Sequence, residues 1–112
     1  MKPIEIKVRK NKKGDLMECD FYVKELDYQE FIAFTEAPND EFSNFRLVQA
    51  CLVDGDGEKV FKPQQIKLIP ERIGGVDLGK VLLVATNIND FAGVGELAES
   101  YSKNSKSDQS TD

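Results

Sequence analysis

The sequence predicts an α+β fold, an N-terminal β-hairpin followed by a mostly α-helical body of four or five short helices. Three observations lead there. Ile4-Glu5-Ile6-Lys7-Val8-Arg9 alternates apolar and polar residues with the period of a strand, which places Ile4, Ile6 and Val8 on one face. Asn11-Lys12-Lys13-Gly14-Asp15 has the composition of a turn and leads into Leu16 to Leu26, a stretch rich in strand formers (Cys19, Phe21, Tyr22, Val23). Beyond Leu26 the apolar spacing becomes helical, and Pro and Gly cut the chain into short pieces. An isolated hairpin is marginal in water, so the helices must cover it.

Taken in order, Asp27 can cap a helix, Glu30 completes a capping box, and Leu26 is placed to staple against Phe31. Pro38 ends that helix by pushing the preceding residue out of the α region. A second helix is expected from near Asn39 or Asp40 through Cys51 to Val53, with Phe42, Phe45, Val48, Cys51 and Leu52 near helical spacing, until Asp54-Gly55-Asp56-Gly57 stops it. Val60-Phe61 suits a brief extended piece, and Pro63 the first position of a short helix containing Ile66 and Ile69. Pro70 and Gly74-Gly75 are expected to break the chain again. Asp77 can then cap a helix whose Leu78, Val81, Leu82, Ala85 and Ile88 form one stripe. Val81 to Thr86 also reads as a core strand, but the length of the stripe favours the helix. A last helix is expected after Asn89-Asp90, with Phe91, Val94, Leu97, Ala98 and Tyr101 inward. Residues 1–103 are thus expected to form a single domain, hairpin 1–26 and helical body 27–103. The polar tail 104–112 is expected to be disordered, because it buries too little to offset its ordering entropy.

Composition narrows the chemistry. The 112 residues are 40% hydrophobic and 31% charged, with 15 Lys+Arg against 20 Asp+Glu, two Cys and no His. Without His, the Ser-His-Asp and Cys-His arrangements and mixed Cys/His metal sites are excluded. Cys19 and Cys51 are too few for a disulfide framework or a four-cysteine metal site; both lie in apolar segments and are expected to be buried thiols in a reducing compartment. No stretch reaches the roughly 18 apolar residues of a membrane span, and no apolar run follows Met1-Lys2-Pro3 as a secretory signal needs. Charge is divided. Residues 1–13 carry six cations and one anion, a net of +5, whereas the remainder carries nine cations and nineteen anions, a net of −10. The acidic body repels phosphate and the basic arm has no aromatic for base stacking, which argues against nucleic acid as the partner.

Three motif-like stretches fail on inspection. Gly74-Gly75-Val76-Asp77-Leu78-Gly79-Lys80 matches the G-x-x-x-x-G-K of a phosphate-binding loop, but Val81 stands where Ser or Thr would hold Mg²⁺, and Asp77 would sit beside the phosphates. A glycine turn with Lys80 as a solvated helical residue outweighs it. Asp54-Gly55-Asp56-Gly57-Glu58 starts like a calcium loop, yet Lys59 replaces its Gly and Gln65 its bidentate Glu, so a glycine-rich turn after a helix is the better reading. Gly93-Val94-Gly95-Glu96-Leu97-Ala98 imitates a dinucleotide fingerprint with too little chain after it for a βαβ unit. No catalytic, metal or cofactor-binding residue is assigned. Tyr28, Phe31, Phe34, Phe42 and Phe45 are expected to fill the core between hairpin and helices, with any exposed ones marking a protein-binding surface.

Phe45-Arg46-Leu47-Val48-Gln49-Ala50-Cys51-Leu52-Val53-Asp54-Gly55-Asp56-Gly57-Glu58-Lys59-Val60-Phe61, a helix running into D-G-x-x-[LV]-F, resembles the central signature of tail assembly chaperones from long-tailed bacteriophages. Leu78 to Asn89 resembles their helix ending near L-N-G, with Asp90 where that family usually has Gly. Gly95 to Asn104 is similar to their closing helix, and the match spans residues 4 to 104 in order. The resemblance implies a non-enzymatic protein, without cofactor or metal, that acts in the host cytoplasm and is absent from the mature virion. Its implied partners are the tape measure protein and tail tube subunits, with self-association along the tape. It also implies a longer product made by ribosomal frameshifting, and Ser102-Lys103-Asn104 can be encoded by UCA-AAA-AAC, which contains a slippery heptamer. The competing reading is a phage structural or head-tail connector protein retained in the virion. No residue is singled out for partner contact.

Overall fold

A computed structural model describes residues 1–91. Its elements are β1 (Lys2–Ile4), β2 (Phe21–Val23), α1 (Tyr28–Glu36), α2 (Ser43–Cys51), β3 (Leu52–Asp54), a 3₁₀ helix (Pro63–Leu68), α3 (Ile69–Arg72) and α4 (Gly75–Ile88). The fold is α+β. An antiparallel sheet in the order β1-β2-β3 carries the helices, and the N-terminal hairpin and short-helix body are as the sequence predicts. The predicted helix beyond Asp90, the domain limit at residue 103 and the polar tail lie outside the described residues.

The hairpin keeps one register along its length, from Lys2 opposite Val23 to Arg9 opposite Leu16. Its turn is held by Asn11, whose Oδ1 accepts from the Gly14 and Asp15 N–H groups, while Gly14 takes a left-handed φ of +96°. The predicted strand Ile4–Arg9 is shorter and shifted, because the ladder opens midway. There the Lys7 N–H turns away to donate to Asp77 Oδ2 (2.9 Å), and Val8 bridges to Ile73 on the other edge. The expected facing holds: Val8 is fully buried, Ile4 and Ile6 half-buried, and their neighbours exposed.

α1 begins as predicted. Asp27 accepts the Glu30 N–H (2.7 Å), Glu30 accepts the Asp27 N–H (3.0 Å), and Ala37 ends the helix before Pro38. α2 differs at both ends. It starts at Ser43, because Asp40 is drawn into a turn with the Phe42 N–H and Arg46, and it stops at Cys51. Leu52–Asp54 is the third strand, paired with β2 from Val23↔Leu52 to Phe21↔Asp54, so the reading of Leu52 and Val53 as helix is corrected. The glycine-rich turn therefore follows a strand. Asp54 Oδ1 takes the Asp56 and Glu58 N–H groups, Gly57 adopts φ +82°, and Lys59 returns to bridge Val53.

Pro63 opens the 3₁₀ helix as expected. Pro70 does not break the chain: it lies in the first turn of α3, where a missing N–H costs nothing. α4 is capped by Gly74 rather than Asp77, which sits in the first turn and serves Lys7. The α4 stripe faces inward, with Val81 and Ala85 buried and Leu78, Leu82 and Ile88 packed on the core; the strand alternative for Val81–Thr86 is overturned. One cluster joins Val8, Val23, Val48, Leu52, Ile69 and Val81, each fully buried. Burying each such side chain contributes about 1.5–3 kcal/mol for the larger ones.

Candidate functional site

α1 holds no buried residue. Its Phe31, Ile32 and Phe34 are only half-covered, so the helix lies on the body rather than in it. Between α1 and α2 runs a cleft of about 310 Å³ whose lining is mainly apolar, with Ala33, Phe34 and Ala37 on one wall and Ala50, Gln49 and Pro63 on the other. A second hollow of about 260 Å³ shares Phe34, Ala37 and Arg46 and extends it toward Pro38 and Ser43. Small side chains open the space. Ala33 on α1 and Ala37 at its C-cap are four residues apart, and Ala50 stands opposite on α2.

Charged pairs fix the walls. Glu30 binds Lys24 through Oε1 and Lys59 through Oε2, and Lys59 also donates to the Ala50 carbonyl in the last turn of α2. Cations are favourable there, at the negative end of the helix dipole. Burial alone would push the Glu30 carboxyl up, but the two ammonium groups and the Asp27 N–H hold it down to about 2. A carboxylate so firmly ionised is unsuited to general acid or base work near neutral pH. At the other end Arg46 grips Asp40 with both guanidinium nitrogens (2.9 and 3.0 Å) and also donates to the Pro38 carbonyl (3.0 Å). That pair lowers the Asp40 carboxyl and raises Arg46, chiefly through their side-chain hydrogen bonds.

The dense aromatics divide. Phe31 and Phe34 meet Phe91, with ring centroids 5.8 and 5.4 Å apart, and Phe45 packs on the core. Phe42 lies under the Lys67 ammonium, 5.3 Å from its ring centre. Tyr28 alone of the five is open, 78% exposed at the start of α1. So most of the set is packing, as expected, and one ring stands out from it.

Two of the three motif-like stretches, Gly74 to Lys80 and Asp54 to Glu58, fall among the described residues. Gly75 to Lys80 is helical, and Lys80 is an exposed residue beside Asp77 (3.7 Å) rather than part of a phosphate cradle. Asp54 spends its carboxylate on its own turn, and among the described residues no group of three or more Cys, Asp or Glu could hold a metal ion. Gly93 to Ala98 lies outside the described residues. Cys51 is buried as expected, with burial pushing its thiol up to about 11, partly offset by the Asn89 amide. Cys19 is exposed, against expectation, because it falls where the hairpin ladder opens.

Sequence reasoning passed over the alanines, although Ala33 and Ala37 at helical spacing were the visible sign of a groove. Among the described residues no helix is long and apolar enough to cross a membrane. No protein-family profile matches this chain, and neither any curated protein nor any solved structure shows significant similarity to it.

Proposed function

We propose that this chain is a non-enzymatic tail assembly chaperone of a long-tailed bacteriophage, binding the tape measure protein and recruiting tail tube subunits during tail morphogenesis. The observation that carries the reading is the α1–α2 groove beside a helix with no buried residue. A groove walled by Ala33, Phe34, Ala37 and Ala50 suits the apolar stripe of a partner helix, whose side chains at i, i+3 and i+4 enter it in turn. A tape measure chain is long and helical, and such a stripe needs shielding until the tube closes around it. The ion-paired Glu30, Arg46 and Lys59 line the same groove. Contacts of this kind are individually modest and gain strength by repetition along the partner, which leaves them displaceable by tube subunits.

On this reading the protein works in the host cytoplasm and leaves before the virion is complete. The test is co-expression with a tape measure protein from the same genome. The wild-type chain is expected to keep that partner in solution, and Ala37→Trp, which fills the groove, to release it into the pellet. Mass spectrometry of purified particles is the second arm. Many copies of the chain per virion would replace this reading with that of a structural or connector protein.

A further inference from the structure

We propose that the α1–α2 groove is held in the free protein by the chain's own continuation, residues 92–101, which a partner helix must displace. The exit point of the chain carries the argument. α4 ends at Ile88, Asn89 is tied to the Leu26 N–H just before α1 (2.7 Å), and Asp90 turns the backbone with a φ of +54°. Phe91 then lands on α1 itself, its ring centroid 5.8 Å from that of Phe31 and 5.4 Å from that of Phe34. Phe34 lines both hollows of the groove. The chain therefore continues from a residue that already touches the groove wall.

What continues is suited to the space. Val94, Leu97, Ala98 and Tyr101 recur at i, i+3, i+4 and i+7, the spacing of one helical face, and Glu96 and Glu99 fall on the opposite one. Seven helical residues span about 10 Å, which matches the seven positions from Glu30 to Ala37 along the groove wall. The groove's volume of about 310 Å³ equals roughly ten waters at ~30 Å³ each, room for two or three aliphatic side chains and too little for a whole helix. A short stripe laid along its mouth, with side chains inward and carboxylates toward water, meets both limits.

Tethering favours this occupant over a free one. Attached through Phe91, the segment meets the groove at an effective concentration on the order of millimolar, above that of a dilute apolar helix. Its docking also takes the exposed Ala33 and the half-buried Phe34 and Ala37 out of water. The groove is the one assigned above to the tape measure helix, so the segment's role as a gate rests on that reading. A helix then binds only by outcompeting the segment, which lowers its apparent affinity and turns away weaker apolar sequences. Occupancy itself concerns this chain alone.

The test is paramagnetic relaxation in the full chain, with isotope-labelled alanine methyl groups and a nitroxide on Ser102→Cys. Cys19→Ser removes the exposed thiol, and the buried Cys51 stays unmodified. The methyl signals of Ala33, Ala37 and Ala50 are expected to lose most of their intensity. Adding Leu97→Asp, or Tyr101→Asp should circular dichroism show the first unfolded, is expected to restore them. A mixture of labelled chain without nitroxide and unlabelled chain with it is expected to leave them sharp. Broadening in that mixture would put the segment on a second copy, and sharp signals in the nitroxide chain itself would leave the groove to a partner alone. Either result overturns the proposal, as does broadening that survives the aspartate variant. Occupancy seen together with failure to keep the tape measure protein in solution would overturn that reading and leave the occupant in place.

Discussion

Asn89 and Leu26, 63 positions apart, are joined directly: the Asn89 Oδ1 accepts the Leu26 N–H at 2.7 Å. The same amide donates to the Ala85 carbonyl (2.9 Å) and lies 3.5 Å from the Cys51 sulfur. One side chain thus closes the end of α4 and fixes the junction between β2 and α1. Asn89→Leu leaves the Leu26 N–H without a partner, while the Ala85 carbonyl keeps the Asn89 backbone N–H (3.2 Å), and is expected to cost about 1–3 kcal/mol, read from urea unfolding. Asn89→Asp keeps the acceptor and should fall between. A loss under ~0.5 kcal/mol for the leucine variant would show that water replaces the amide.

Acid should weaken the fold through Glu30. Its carboxyl is held at about 2 against 4.5 for an unperturbed one, so the unfolded chain takes up the proton first. The stabilisation is complete above the unfolded value and is lost as the pH falls from about 5 toward 2, with a size on the order of 1–3 kcal/mol. Glu30→Gln should lower stability at pH 7 and flatten the curve over that window. Equally steep curves for the two proteins would assign the acid sensitivity elsewhere.

Asp90 is the one non-glycine residue with positive φ among the described residues, at +54°. It follows the last turn of α4, where glycine adopts the left-handed conformation without a Cβ penalty. Asp90→Gly is therefore expected to gain about 0.5–1 kcal/mol, a rise of a few degrees in Tm. A fall in Tm would mean that the aspartate contributes more than its backbone strain costs.

The two thiols should react in sequence. Cys51 has no exposed surface and its thiol is raised to about 11, so an aromatic disulfide reagent should reach it only as fast as the protein unfolds. Cys19 is accessible, but residual burial and the nearby Asp54 and Asp20 also raise its thiol. It should label first, more slowly than free cysteine. Two fast thiols in native protein would contradict the burial of Cys51.

Local features were legible wherever their causes were local. The capping box of Asp27 and Glu30, the turn at Gly14, the stop before Pro38 and the start at Pro63 each depend on residues a few positions apart. β3 was hidden because Val48, Cys51 and Leu52 satisfy a helical period, and only pairing with Phe21–Val23 makes a strand of Leu52–Asp54. Asp77 looked like a cap for the same reason: its actual partner, the Lys7 N–H, is 70 positions away. Cys19 kept the strand's alternation in sequence and lost it in space where the ladder parts. The groove escaped notice since alanines on a helix are ordinary, and their meaning comes from Ala50 across the gap.

The first arm of the hairpin has two allegiances, to β2 through Lys2–Ile4 and to the end of α3 and start of α4 through Val8 and Lys7. During synthesis the first of these pairings is possible as soon as Val23 has emerged. The second must wait until Ile73 and Asp77 have left the ribosome tunnel, and Leu26 waits longer still for Asn89. With so much loop to close, the nascent chain carries a half-paired hairpin through most of its translation. For that interval its unsatisfied edge is a place where a holdase, or a neighbouring nascent chain on the same message, can intervene.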